Sequence, residues 1–149
     1  MSDWIPSLAS GIATYVEVSK DNSDLKEAAL IYRPLEGFFR DALAEDAECL
    51  LAFPSLIIRP DSQAPCLVVV TEDSVVIAWR RGFLRSKIES LVLDSADIEK
   101  VVWGRGSVAQ YELTVQGKLS ATFALPQRNP QVGDLIKGAI ERSMEAARS

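Results

Sequence analysis

Leu67-Val68-Val69-Val70-Thr71-Glu72-Asp73-Ser74-Val75-Val76-Ile77-Ala78-Trp79 is the stretch whose reading sets the fold class. Two apolar, largely β-branched runs, residues 66–71 and 74–79, flank Glu72-Asp73, which reads as the tight turn of a β-hairpin. The β pattern extends to both sides. Residues 49–58 are apolar and partly branched, and Pro54 restricts that strand to a sheet edge or a bulge. Residues 80–86 form a connection containing Gly82, and residues 87–93 follow as a strand with the alternation Ile88, Ser90, Val92. Residues 98–103 are another strand, closed by the loop Gly104-Arg105-Gly106-Ser107. Tyr111, Leu113 and Val115 alternate with polar residues, as do Leu119, Ala121, Phe123 and Leu125, and Gln116-Gly117-Lys118 links the two runs as a hairpin.

Helical signals bracket this β region. Trp4, Ile5, Leu8, Ile12, Tyr15, Val16 and Val18 fit either a weak helix or an extended arm that docks through its aromatics. Asp21-Asn22-Ser23-Asp24 is a helix-start signal, and Asp24 with Glu27 has capping-box-like spacing. Leu25, Ala28, Tyr32, Leu35, Phe39 and Ala42 then recur at steps of three or four, with Ile31, Phe38 and Leu43 widening the stripe. Pro34 predicts a kink, or two helices meeting near Arg33-Pro34. Asn129 as cap and Pro130 at the first helical position open a last helix with the stripe Val132, Leu135, Ile136, Ala139, Ile140 and Met144. Gly133 and Gly138 each cost it about 1 kcal/mol relative to Ala, so its stability must come from packing on a sheet.

Helix, then a run of strands, then one helix predicts an α+β fold with a mainly antiparallel sheet. The expected core is Leu67, Val69, Val76, Ala78, Ile98, Val101, Leu113, Phe123, Leu135 and Ile136. The stripe of residues 25–43 either packs on this same domain or forms a dimer or partner interface, because left uncovered it would be an exposed apolar patch.

Composition narrows the chemistry. The 149 residues, 48% hydrophobic and 25% charged, suit one ordinary domain able to bury a core without disulfide or metal support. There is no histidine, which removes Ser-His-Asp and Cys-His triads, histidine bases and histidine-containing zinc sites. The net charge of -5 is concentrated in residues 1–50, which hold ten acids and four bases. Nucleic acid is not an expected partner, since phosphate binding rests on clustered Lys and Arg. Cys49 and Cys66 are too few for a metal site and read as two reduced, buried thiols. The N-terminus lacks a basic region and an apolar run of signal-peptide type, and stretches such as residues 66–70 are far below the roughly 20 residues that cross a bilayer. A cytoplasmic location is expected, with peripheral membrane contact as the alternative.

Three segments carry a resemblance. Residues 67–79, "LVVVTEDSVVIAW", resemble the strand–Thr-Asp/Glu–strand hairpin of the bacterial pleckstrin-homology-like (PH-like) and GRAM-like domains. "LDSADIEKVVW" at 93–103 resembles the segment before their fifth strand, and "PQVGDLIKGAIERSM" at 130–144 their closing helix. The resemblance covers about residues 48–146 and divides the chain into an N-terminal arm and helical extension, 1–47, and a PH-like domain, 48–149. It implies a seven-stranded, partly open antiparallel barrel capped by the C-terminal helix. It also implies binding of lipid headgroups, peptides or proteins, and often self-assembly, without enzymatic activity.

The sharpest local feature is residues 79–87, where the cations Arg80, Arg81, Arg85 and Lys87 are interleaved with Trp79, Phe83 and Leu84. One reading is an anionic-surface site in which the cations hold phosphate or carboxylate and the apolar residues dock. The other is a solvated hairpin with Trp79 and Phe83 packed inward. In PH domains ligands commonly use the loops between the early strands, but Arg59-Pro60-Asp61 lacks a clear matching basic pattern in the first loop, which speaks against phosphoinositide binding.

Gly104-x-Gly-x-x-Ala109 has dinucleotide-fingerprint spacing, yet the residues after it alternate like a strand, so it reads as a hairpin loop. Asp94/Asp97 and Glu45/Asp46 are carboxylate pairs of a kind that does acid–base work or binds a hard cation, but Asp94 at a turn and Asp97 as a cap are explained by local hydrogen bonding, and Ser23-x-x-Lys26 lacks the context of a Ser–Lys site. No catalytic residue, metal ligand or cofactor is assigned. The sequence therefore points to a non-enzymatic protein-interaction or self-assembly module. The alternatives are anionic-lipid binding through residues 80–87 and a small acidic chaperone of a secreted client, the last consistent with a pI near 4.8.

Overall fold

The computed structural model describes residues 4–20, 22–44, 47–60, 62–81, 87–106, 111–125 and 130–149. Helices α1 (Pro6–Ser19), α2 (Asn22–Tyr32) and α3 (Glu36–Ala42) precede seven strands, and helix α4 (Pro130–Arg148) ends the chain. The strands are β1 (Cys49–Ile58), β2 (Gln63–Thr71), β3 (Ser74–Arg81), β4 (Lys87–Asp94), β5 (Ile98–Arg105), β6 (Tyr111–Gly117) and β7 (Ala121–Ala124). They form one antiparallel sheet in the order β4-β3-β2-β1-β7-β6-β5. Its two ends, β4 and β5, do not pair with each other, so the barrel is open along that seam.

Thr71 closes the deciding hairpin. Its hydroxyl accepts from the Ser74 amide at 3.1 Å and donates to the Asp73 carboxylate at 3.0 Å, so the polar turn is satisfied while the flanking strands stay dry. Residues 67–71 and 75–79 are buried without interruption because both faces of these strands are covered. The inner row, Cys66, Val68, Val70, Val75, Ile77 and Trp79, meets Phe53, Leu113, Phe123 and the α4 residues Val132, Ile136 and Ile140 inside the barrel. The outer row, Leu67, Val69, Val76 and Ala78, forms a second core with Leu8, Ile12, Tyr32, Leu35 and Phe39 of the helical layer. The expected core residues are all at least half-buried, but they belong to two cores on opposite sides of the sheet. A strand reverses its side chain at every residue, so Leu67 and Val69 share a face that Val68 and Val70 do not.

The helical stripe of residues 25–43 therefore packs on its own sheet. Ala28, Tyr32, Leu35, Phe39 and Leu43 are buried, whereas Leu25 and Ala42 are exposed and lie off the stripe. The chain turns between α2 and α3 through a short 3-10 segment, Arg33–Leu35, where Pro34 removes an amide donor. Residues 6–19 resolve the choice between helix and arm in favour of a helix. Tyr15 reaches past β1 into the barrel core and stacks on Phe53 at 5.8 Å, and Trp4 packs on Tyr32 at 4.4 Å. The capping pair at Asp24 and the cap Asn129 lie outside the described side chains.

Pro54 restricts its strand to an edge or a bulge by the sequence reading, but β1 is interior, between β2 and β7, and its register shift lies at Cys49/Leu51 instead. The physical reason is the shortness of β7. It pairs only with Leu56, Ile57 and Ile58, so Pro54 opposes Leu67 on one side and lies beyond the reach of β7 on the other. Its missing N–H then removes no ladder bond from that side. A register shift between Cys49 and Leu51 turns Cys49 onto the helical side, although its parity matches Leu51. Leu119, expected within the last strand, sits in the turn before β7 and is exposed.

Helix α4 plugs the barrel at the β5 side. Its Asp134 carboxylate accepts from the Trp103 indole N–H at 3.2 Å, its Ser143 hydroxyl pairs with Ser95 in the 3-10 turn between β4 and β5, and Arg148 donates to the Ile98 carbonyl. A Cβ on Gly133 would stand 2.8 Å from the Trp103 ring, so this glycine is required by close packing. Among the described residues, none comes within 4 Å of a Cβ at Gly138.

Helix α1 crosses β1 at Gly11, where a Cβ would stand 2.4 Å from the Cys49 Sγ and 2.9 Å from the Ala52 amide nitrogen. Gly11→Val should lower unfolding stability by about 2–3 kcal/mol through overpacking. Gly138→Ala should raise it by about 1 kcal/mol because only helix propensity changes there. Urea titrations of the two variants check both signs.

Both cysteines are free and buried. Burial pushes the Cys49 thiol from 9.0 up to about 12 and raises the Cys66 thiol as well. A thiol raised in the folded state gives stability that is complete below its unfolded value and is lost as pH climbs towards the folded one. Stability should accordingly hold through neutral pH and decline above about pH 9, with a shallower decline in Cys49→Ala. Urea midpoints measured along an alkaline pH series would show it.

Candidate functional site

The nine-residue cationic stretch is not one surface. β3 and β4 pair with Trp79 opposite Glu89, Arg80 opposite Ile88 and Arg81 opposite Lys87. Strand alternation then sends Trp79, Arg81, Lys87 and Glu89 to the barrel side, and Arg80 with Ile88 to the side of the helical layer. Trp79 is 3% exposed and belongs to the inner core, as the packed-inward reading expects for that residue. Phe83, Leu84 and Arg85 lie outside the described residues.

The barrel-side set gathers at the mouth formed by the β1–β2 loop and the ends of β3 and β4. A recess of about 250 Å³ is lined there by Arg59, Pro60, Ser62, Trp79, Arg81 and Glu89. The β1–β2 loop is held by the Arg59 amide donating to the Ser62 carbonyl at 2.8 Å. That turn lays the Arg59 guanidinium over the Trp79 ring, 5.7 Å from its centroid, a cation–π contact worth about 0.5–1 kcal/mol at an exposed position. Arg81 donates to Glu89 at 3.2 Å. At 72% exposure of the Arg81 side chain this pair contributes at most about 1 kcal/mol, so it orients the guanidinium more than it stabilises the fold.

Arg81 and Lys87 are placed directly opposite each other across the hairpin, and like charges in that position repel. Arg59 approaches from the facing loop, so that among the described residues three cations stand around the mouth with the carboxylate of Glu89. An anionic group in the recess would relieve the repulsion, and two guanidinium forks are present to hold it.

Of the residues singled out in the sequence, Trp79 and Arg81 line the recess, whereas Arg59, Ser62 and Glu89 line it without a local signal. No basic run marks the first loop in the sequence, and the recess takes Arg59 from one hairpin and Arg81 from the other, with Lys87 opposite Arg81 but outside the lining. Only the β1–β2–β3 register puts Arg59 over Trp79, and no local pattern in residues 59–61 encodes that.

The remaining candidates divide between structural places and positions outside the described residues. Asp94 caps the 3-10 turn Ser95–Asp97 by accepting from the Ala96 amide at 3.0 Å. Gly104 and Arg105 end β5, and Arg105 pairs with Tyr111 of β6, while Ser107, Val108 and Ala109 lie outside the described residues. Glu45 and Asp46 lie outside the described residues. Among the described residues no helix is long and apolar enough to cross a membrane.

No model of a known protein family matches the chain, and no curated protein matches it. Solved structures do. The hSac2 domain from the human phosphoinositide phosphatase Sac2 aligns with a TM-score of 0.60 and 14% identity over 81% of this chain and 85% of that one. The N-terminally truncated linker-DH/PH domains of p115-RhoGEF align at 0.54 and 12% identity, over 89% of this chain and 40% of theirs. The C-terminal domain of an unknown protein from Leishmania infantum aligns at 0.51 and 11% identity, over 72% and 98%. At these identities the likeness speaks to the fold. The architecture is PH-like, an open seven-stranded antiparallel barrel with a C-terminal helix and added N-terminal helices. The bacterial branch suggested by the sequence is not part of what the likeness shows.

Proposed function

We propose that the chain is a non-enzymatic binding module of PH-like fold that recognises a protein segment, or a second copy of itself, along the uncovered edge of β4. One observation carries the reading. The two ends of the sheet are treated differently: β5 is tied to α4 through Trp103 and Ile98, whereas β4 pairs only with β3 among the described residues. The helical layer stops short of it as well, so Ile88 and Val92 stand 46% and 52% exposed. A bare strand with apolar residues on its outer row is a template for another strand. The helical extension is less suited to the task, because its stripe already covers the sheet. A catalytic role has little chemistry to draw on in a chain without histidine.

The test is the double variant Ile88→Lys/Val92→Lys, with unchanged circular dichroism as the folding control. It should lose the association that wild type shows in solution, whether with itself or with a co-purifying protein. Retention of every association by the folded variant would remove the β4 edge from consideration.

A second reading rests on the recess at the mouth. Arg59 and Arg81 converge there over Trp79, and one structural relative is a domain of a phosphoinositide phosphatase. This supports recognition of an anionic lipid headgroup and a peripheral membrane location. In vesicle flotation, Arg59→Glu/Arg81→Glu should abolish binding to anionic vesicles, while Arg80→Glu, on the opposite face, should retain it. Equal behaviour of the two variants, or no flotation of wild type, would end this reading.

A further inference from the structure

The geometry points to a second copy of this chain as the occupant of the β4 edge, paired antiparallel about Ser90 so that two sheets become one. The inference rests on the interaction reading above and names its partner and register.

An edge strand that pairs with its own copy across a twofold axis normal to the sheet must place residue i opposite residue j with both on the same face. For β4 this leaves a small set of registers. Centring the axis on Ser90 sets Ile88 opposite Val92 of the second copy and Val92 opposite its Ile88. The two exposed apolar residues of the outer row thus become two cross-strand pairs. On the barrel side the same register sets Lys87 opposite Leu93 and Glu89 opposite Leu91, and no like charges face each other. It also brings the Lys87 end of each strand to the Asp94 end of the other, so the ends are complementary in charge.

The neighbouring registers are worse. Moving the centre to Glu89 puts the two Glu89 carboxylates face to face. Moving it to Leu91 sets Ile88 against Asp94 and leaves Val92 against Ser90. The sequence of β4 is therefore self-complementary in one antiparallel register and not in those beside it.

The surroundings agree. The outer row of β3 is buried at Val76 and Ala78 beneath the helical layer, while the adjoining row of β4, Ile88, Ser90 and Val92, is exposed. The axis normal to the sheet keeps the helical layers of both copies on one face, flanking the joined strands. Neither proline nor a bulge interrupts β4, and its register with β3 is continuous from Ser74↔Asp94 to Arg81↔Lys87, so nothing in the strand twists it away from a partner.

Light scattering on the full chain should give twice the 16.3 kDa mass of one copy. Val92→Lys should shift it to the monomer, and Leu30→Lys, an exposed position on α2, should not. Register is tested separately with Ser90→Cys, which is conservative for folding. A short bifunctional thiol reagent should join two copies of it in high yield. Wild type, whose two thiols are buried, and Glu99→Cys on β5 should stay unjoined. A monomer at every concentration would overturn the proposal while leaving the β4 edge open to a different protein. A dimer that survives Val92→Lys and is not joined through Ser90→Cys would also overturn it, since the contact would then lie elsewhere.

Discussion

Strands β1 to β3 carry apolar side chains on both faces, and a sheet of that kind must be covered twice. The barrel closes over one face by curling β5 to β7 and α4 around Phe53, Ile77 and Phe123. It has no further element for the other, where Leu67, Val69 and Val76 would meet water. Full burial of a Leu or Val side chain is worth about 1.5–3 kcal/mol. The helical extension supplies that cover, and Gly11 permits it by letting α1 lie directly on the backbone of β1. The N-terminal helices are thus a layer of the fold, joined to the barrel through Tyr15, which takes part in the inner core.

The same requirement explains what remains exposed. The helical layer is as wide as the doubly apolar strands and ends at β3. At β4 the burial alternates, with Leu93 inside and Ile88, Ser90 and Val92 outside, so the strand can stand at an edge. At the other end of the sheet α4 is fixed by Asp134, Ser143 and Arg148, and that end is occupied. Among the described residues, the β4 edge and the mouth beside it are two places where cover runs out. They lie on one hairpin, with Arg81 and Glu89 at the mouth and Ile88 and Val92 along the edge. An occupant of one site therefore adjoins the other.

Much of the architecture is legible in local pattern. The hairpin at Thr71–Ser74, the break at Pro34, the start of α4 at Pro130 and the succession of strands each follow from neighbouring residues acting on each other. The site is less legible. The cations at 80, 81 and 87 look like one cluster in the chain, but pleating divides them between two faces. Arg59 belongs with them only because two hairpins share a sheet. Pro54 shows the same limit in the fold itself: its chemistry restricts a strand to an edge or a bulge, and the short β7 provides edge conditions inside the sheet.

The amino-acid sequence alone determined the fold class, the burial of strand residues such as Leu67, Val69, Val76, Ala78, Leu113 and Phe123, and the absence of histidine from the available chemistry. These depend on composition and on periods of two or three to four residues, which act over short stretches of chain. Tertiary structure decided which of two cores each residue joins, that the N-terminal stripe faces its own sheet, and that Arg59 and Arg81 share a recess. Those outcomes depend on register and on the side from which a distant segment approaches, and short-range patterning is the same whichever side that is.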